Sequence, residues 1–177
     1  MRRKNTTTEM MKEYIAESLL ILMSSKPYTD ISIGEITTKA GVNRSTYYRN
    51  FKSKDEIIKF YFNRIMLEYI DDVKKVKNIT LRDYLYIMFS HFYIYKRELL
   101  SINVNGLSYL LLDTLNETFT ALTGYCTFEE QYKLYYHTGG IYNTFLLWFS
   151  VGMQKSPEQM SEMAVASLPK GFQPMLL

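Results

Sequence analysis

The run Ile33-Gly34-Glu35-Ile36-Thr37-Thr38-Lys39-Ala40-Gly41-Val42-Asn43-Arg44-Ser45-Thr46-Tyr47-Tyr48-Arg49-Asn50-Phe51 reads as two short helices joined by a tight turn. Ser32 stands three residues before Glu35, a capping box that opens the first helix. Gly41 suits the point where the chain leaves that helix with positive φ. Asn43 is placed to start the second helix, over 43–49. Ile36, Ala40, Val42, Tyr47 and Phe51 are spaced to hold the two helices together, which leaves Asn43, Arg44, Ser45, Thr46 and Tyr48 facing outward. This is a helix-turn-helix, and the first residues of its second helix are the ones expected to meet base edges in a major groove.

Outward from this motif the chain reads as all-α. Before it, Met11, Tyr14, Ile15, Ser18, Leu19, Leu22 and Met23 form one apolar stripe over 8–25, with Thr6 to Thr8 as cap candidates and Lys26-Pro27 as the stop. After it, Ser53 and Glu56 open a long amphipathic helix over 54–76. Further helices are expected over 80–97 (capped by Thr80), 103–122 (weak at Gly106), 128–154 and from Ser156-Pro157 to about 167, followed by an irregular tail from Pro169. The segment 128–154 is apolar on most sides, which predicts a central position or a subunit interface. No proline lies between Tyr28 and Ser156, and the single Asn-Gly pair, Asn105-Gly106, is not flanked by alternating strands.

Composition bounds the function. The chain has 177 residues, 47% apolar and 22% charged, the range of a soluble globular protein. No apolar stretch reaches the roughly 18 residues of a membrane span, and the N-terminus lacks the apolar segment of a secretion signal, so a cytoplasmic location is expected. One cysteine, Cys126, fits a reducing compartment and reads as an inert thiol. Charge is uneven: residues 1–54 carry ten Lys/Arg against five acids, the rest eleven against thirteen. A basic head on a near-neutral body points to a polyanion partner for the head alone. Arg2, Arg3 and Lys4 read as a disordered arm or as minor-groove contacts. A Gly-rich phosphate loop, a Gly-x-Ser-x-Gly elbow and a His-Glu-x-x-His pair are all missing, so no enzyme, metal or cofactor is expected.

Residues 31–58 resemble the DNA-binding segment of the TetR family of transcriptional regulators. The likeness rests on Ile36-Thr37-Thr38-Lys39-Ala40-Gly41-Val42 and on Ser45-Thr46-Tyr47-Tyr48-Arg49-Asn50-Phe51-Lys52-Ser53-Lys54-Asp55-Glu56-Ile57. It implies a DNA-binding head (1–52) and a helical ligand-binding and dimerisation body (53–177). It further implies DNA contacts at Thr38, Asn43, Arg44, Ser45, Thr46, Tyr48, Arg49 and Lys54, with Arg44 on bases, Tyr48 and Lys54 on phosphate and Tyr47 packed inside. Gly34 departs from relatives that carry a base-reading side chain there. Twelve of the 16 tyrosines lie from Tyr61 onward, as a core or as the lining of a pocket for an amphipathic or aromatic effector. His91, Tyr95, Tyr109, Tyr135, His137 and Asn143 are the pocket candidates. Gly139-Gly140 costs a helix about 1 kcal/mol per glycine, which suggests a close helix approach, namely a dimer seam with Ile141, Phe145 and Trp148, or else intramolecular packing or a local kink. The resemblance implies a homodimeric, ligand-responsive repressor on a pseudo-palindromic operator. The alternative is a coregulator or activator whose body recruits a second protein.

Overall fold

The computed structural model describes residues 2–124 and 127–168; the side chains of residues 2–6 and of residue 123 are not among them. Cys126 and the tail from Pro169 lie outside the described residues. Among those described the chain is all-helical, with α1 (Arg2–Met23), α2 (Ile33–Ala40), α3 (Arg44–Asn50), α4 (Lys54–Lys75), α5 (Leu81–Ile94), α6 (Lys96–Val104), α7 (Tyr109–Thr123), α8 (Phe128–Ser150) and α9 (Pro157–Ser167). A 3-10 turn over Tyr28–Asp30 links α1 to α2.

Helices α1, α2 and α3 pack on one another, and α1 also lies on α4 and α6. Ile15, Leu19, Ile36, Tyr47, Phe51 and Ile58 are buried where they meet. Helix α4 continues from the head into the body, where its buried stripe (Phe62, Ile65, Met66, Tyr69, Val73) is covered by α5 and α7. Helix α9 lies on α5, and α8 lies on α6 and α7. One hydrophobic cluster runs through both regions.

Local chemistry sets the helix starts. Full capping boxes open α2 (Ser32 with Glu35), α5 (Thr80 with Asp83), α8 (Thr127 with Glu130) and α9 (Ser156 with Gln159). At α4 only half a box forms: Ser53 accepts from the Glu56 N–H, while the Glu56 carboxylate reaches back to the Lys52 N–H at 2.6 Å. Asn43 holds the N-cap position of α3 with its carbonyl rather than its side chain, which makes no capping bond.

Several expectations are corrected. The arm Arg2 to Lys4 is the first turn of α1, so Thr6 to Thr8 lie inside that helix. The single helix expected over 80–97 turns at Tyr95 and continues as α6. The flanking residues are drawn to different neighbours there. The Tyr95 hydroxyl donates to Glu68 on α4, while the Lys96 ammonium donates to the Met153 carbonyl beyond α8 at 3.0 Å. The helix expected from 103 starts only at Tyr109, because Gly106 reverses the chain with φ +74°. Helix α8 is not central: Leu134, Thr138, Phe145, Trp148 and Phe149 face inward, and Phe128, Tyr132, Tyr136 and Leu147, with Val151 just past its end, are exposed.

Candidate nucleic-acid interface

The turn between α2 and α3 is fixed by backbone geometry. Gly41 sits at φ +66°, its N–H bonded to the Thr38 carbonyl at 3.2 Å, and the Val42 N–H bonds to the Thr37 carbonyl at 3.0 Å. Thr37 is buried, its hydroxyl donated to the Ile33 and Gly34 carbonyls at 3.0 and 3.1 Å. Thr38, one position on, is exposed beside Lys39.

Helix α3 is anchored by aromatic contacts. Tyr47 is fully buried, as expected, with its ring 5.2 Å edge-on from Tyr48 and 6.2 Å from Phe51. Burial raises the Tyr47 phenol pKa and keeps it neutral. The opposite face is open: Asn43, Arg44, Ser45 and Arg49 are exposed, and Tyr48 is 63% exposed. Thr46 is half-buried and accepts a 3.2 Å bond from the Arg49 guanidinium, while Asn50 donates to the Thr46 carbonyl at 2.7 Å. Thr38, Lys39, Asn43 and Arg44 line one open cleft between α2 and α3, and the exposed charges from Thr38 to Arg49, namely Lys39, Arg44 and Arg49, are all positive.

Lys54 is placed differently. Its ammonium donates to the Tyr28 and Ile31 carbonyls, each at 2.7 Å, and lies 4.4 Å above the Tyr28 ring. Desolvation lowers its pKa. Two of its three donors therefore tie the 3-10 turn to the start of α4.

The same turn meets the body. Asp55 accepts the hydroxyl of Tyr28 from the head and that of Tyr109 from α7, the latter at 3.0 Å. The Tyr28 N–H donates to the Asn105 side-chain oxygen at 2.8 Å, at the end of α6. Burial, with Asp55 beside it, pushes the Tyr28 phenol well above its usual range. Sequence reasoning missed this joint, since nothing in the spacing of Tyr28, Asp55, Asn105 and Tyr109 brings them together.

A groove of about 670 Å³ lies between α5, α8 and α9. Tyr84, Met88 and Phe89 of α5 contribute its apolar surface, and Ala164 of α9 and Leu168 just after it line the other side. Of the pocket candidates, Tyr135, His137 and Asn143 line it. Desolvation lowers the His137 pKa, so the imidazole is neutral near pH 7. The other three lie elsewhere. His91 sits between Glu68 and Asp72 of α4, with ring nitrogens 3.3 and 3.5 Å from their carboxylates; Tyr95 binds Glu68 and Tyr109 binds Asp55.

The seam candidates also divide. Gly139, Gly140 and Ile141 line the groove, and a Cβ on either glycine would meet nothing within 4 Å. Phe145 and Trp148 are 0% and 1% exposed within the single chain, so for these two the intramolecular-packing alternative holds in place of the seam. The Phe145 ring stacks on Phe92 at 4.2 Å, and the Trp148 indole N–H donates to the Lys155 carbonyl at 3.1 Å. Among the described residues no cluster of three His, Cys, Asp or Glu could hold a metal, and no helix is long and apolar enough to cross a membrane.

A family model described as "Bacterial regulatory proteins, tetR family" matches residues 15–59. No curated protein matches the chain. Three solved structures share the fold. The structure described as dihydroxyacetone kinase operon activator DhaS is 18% identical, with 88% of this chain and 92% of that one covered at a TM-score of 0.57. The fatty acid degradation regulator FadR from Bacillus halodurans is 15% identical, with 92% and 96% covered at 0.57. A transcriptional regulator from Rhodococcus sp. Rha1 is 18% identical, with 85% and 90% covered at 0.50. With α3 exposed on a basic head and the family model matching that segment, residues 15–59 form a helix-turn-helix head similar to that of the tetR-family bacterial regulatory proteins.

Proposed function

We propose that the protein is a homodimeric, ligand-responsive transcriptional repressor in which the α3 helices of two protomers occupy successive major grooves of a pseudo-palindromic operator. The observation that carries this reading is the division of α3, with Tyr47 fully buried and Arg44, Ser45, Tyr48 and Arg49 in solvent. Arg44 and Asn43 supply base contacts, with guanine the commonest arginine target. Tyr48, Arg49 and Lys52 supply phosphate contacts, which set register and affinity.

Dimerisation runs through the outer face of α8, where Phe128, Tyr132, Tyr136 and Leu147 are exposed, with Val151 just beyond its end. The groove beside it takes an amphipathic or aromatic effector, with Asn143 and Tyr135 as polar partners on apolar walls. An effector that favours one spacing of the two heads disfavours the other, so it changes DNA affinity by linkage; a coupling of about 1–3 kcal/mol alters affinity about 5- to 150-fold. The joint at Asp55, which ties the head to α6 and α7, is where such a change crosses from body to head.

Selection of bound fragments from random duplex DNA tests this. Enrichment of a two-fold symmetric sequence with half-sites about 34–36 Å apart supports it. Enrichment of single asymmetric sites, or none, rejects it. A second reading, an activator whose body recruits a protein partner, is favoured by the name of one fold neighbour, an operon activator. It predicts that the exposed α8 face binds another protein while the purified chain stays monomeric.

A further inference from the structure

We propose that Gly34 is a specificity-determining residue, setting where the Arg44 guanidinium lies although it touches no base itself. The proposal rests on the reading of α3 as the base-reading helix.

Glycine at this position has no backbone reason. The described glycines with positive φ are Gly41, Gly106, Gly124 and Gly152; Gly34 is not among them and sits in the first turn of α2, where glycine is less favourable than alanine. Its surroundings supply the reason. A Cβ built on Gly34 would stand 2.6 Å from Arg44 Nη2, 3.5 Å from Cζ and 3.7 Å from Nε. The Nη2 end of the guanidinium therefore occupies space that a side chain at 34 would need, with Cζ and Nε in van der Waals contact with it. Gly139 and Gly140, the other described helical glycines, have open space at the same point.

The Arg44 guanidinium makes no hydrogen bond or ion pair to the described residues, so the slot left by Gly34 positions it by shape alone. Gly34 and Thr38 are one helical turn apart, and with Asn43 and Arg44 they border the open cleft between α2 and α3. Laid across α2, the guanidinium carries five donors from the start of α3 to the neighbouring helix. A methyl at Gly34 pushes this flexible end outward and leaves the backbone in place. The fold is kept, and the base edge that Arg44 addresses changes.

The test uses the duplex enriched by the wild-type chain and a shuffled duplex of the same composition. Affinities for both are measured for wild type, Gly34→Ala, Gly34→Ser, Arg44→Ala and the double variant Gly34→Ala/Arg44→Ala, with melting curves to confirm folding. Arg44→Ala should lower the ratio of enriched to shuffled affinity about 5- to 150-fold. Gly34→Ala should lower it about tenfold with a melting temperature at or above wild type, and the double variant should be no worse than Arg44→Ala. A wild-type ratio in both folded Gly34 variants overturns the proposal, as does a double variant that loses the full Gly34→Ala factor on top of Arg44→Ala. An Arg44→Ala chain that keeps its ratio overturns the base-reading premise itself, a separate result.

Discussion

Removing one hydroxyl from the joint between head and body, in Tyr28→Phe, has a cost that can be ranked in advance. Tyr28 is partly buried and donates to the Asp55 carboxylate. A hydrogen bond to a charged group contributes about 1.5–3 kcal/mol. Solvent reaching the half-buried Asp55 reduces this, so Tyr28→Phe should cost about 1–2 kcal/mol. Tyr109 donates to the same carboxylate at 3.0 Å, but its side chain is 49% exposed. Tyr109→Phe should therefore cost no more than about 0.5 kcal/mol. For a chain of this size, 1 kcal/mol shifts the melting temperature by about 2–4 °C. The assay is urea unfolding followed by circular dichroism, at pH 7, on wild type, both single variants, Asp55→Asn and the two double variants. A coupling above about 1 kcal/mol between Tyr28 and Asp55, and a smaller one between Tyr109 and Asp55, is expected. Equal losses for the two tyrosines, or no coupling at Tyr28, would refute the ranking by burial.

Lys54→Met should lower stability by about 1–3 kcal/mol, because two charged hydrogen bonds to carbonyls are lost, and should leave the salt slope of DNA binding nearly unchanged. Arg49→Ala or Lys52→Ala should instead flatten that slope by about one unit; salt titrations of affinity separate the two cases. Glu35 is held down to about 2, below its usual 4.5, first by the Lys26 ammonium and then by the Ser32 N–H and hydroxyl. Its folded pKa lies below its unfolded one, so its contribution is full above about pH 4.5 and is lost as pH falls toward 2; Glu35→Gln should flatten the melting temperature against pH over that interval. A charge on the outer face of α8, in Leu147→Glu or Tyr136→Glu, should shift a dimer to monomers in analytical ultracentrifugation while leaving the helical spectrum intact.

The head was legible because its signals are local. Ser32 and Glu35, Gly41, and the spacing of Tyr47 and Phe51 each fix a feature within a few residues, and each stands where expected. The body was less so. Tyr95 carries no breaker residue, and the chain turns there because Tyr95 and Lys96 find partners 27 and 57 positions away. Phe145 and Trp148 look like the residues of a seam in sequence, but a helix that is apolar on several sides does not reveal which side its own chain covers. The groove was half legible: His137 and Asn143 line it, whereas His91, equally plausible in sequence, is held between two α4 carboxylates. Lys54 matched a phosphate-binding position, yet only tertiary contact shows that the 3-10 turn takes two of its donors.

Amide hydrogen exchange on the full chain, with and without an enriched duplex at low salt, addresses the DNA-reading surface most directly. Protection concentrated between residues 38 and 52, with α8 and α9 little changed, is the predicted result. Protection confined to the body, or an exchange pattern that no duplex alters, would contradict the assignment of α3 as the helix that reads DNA.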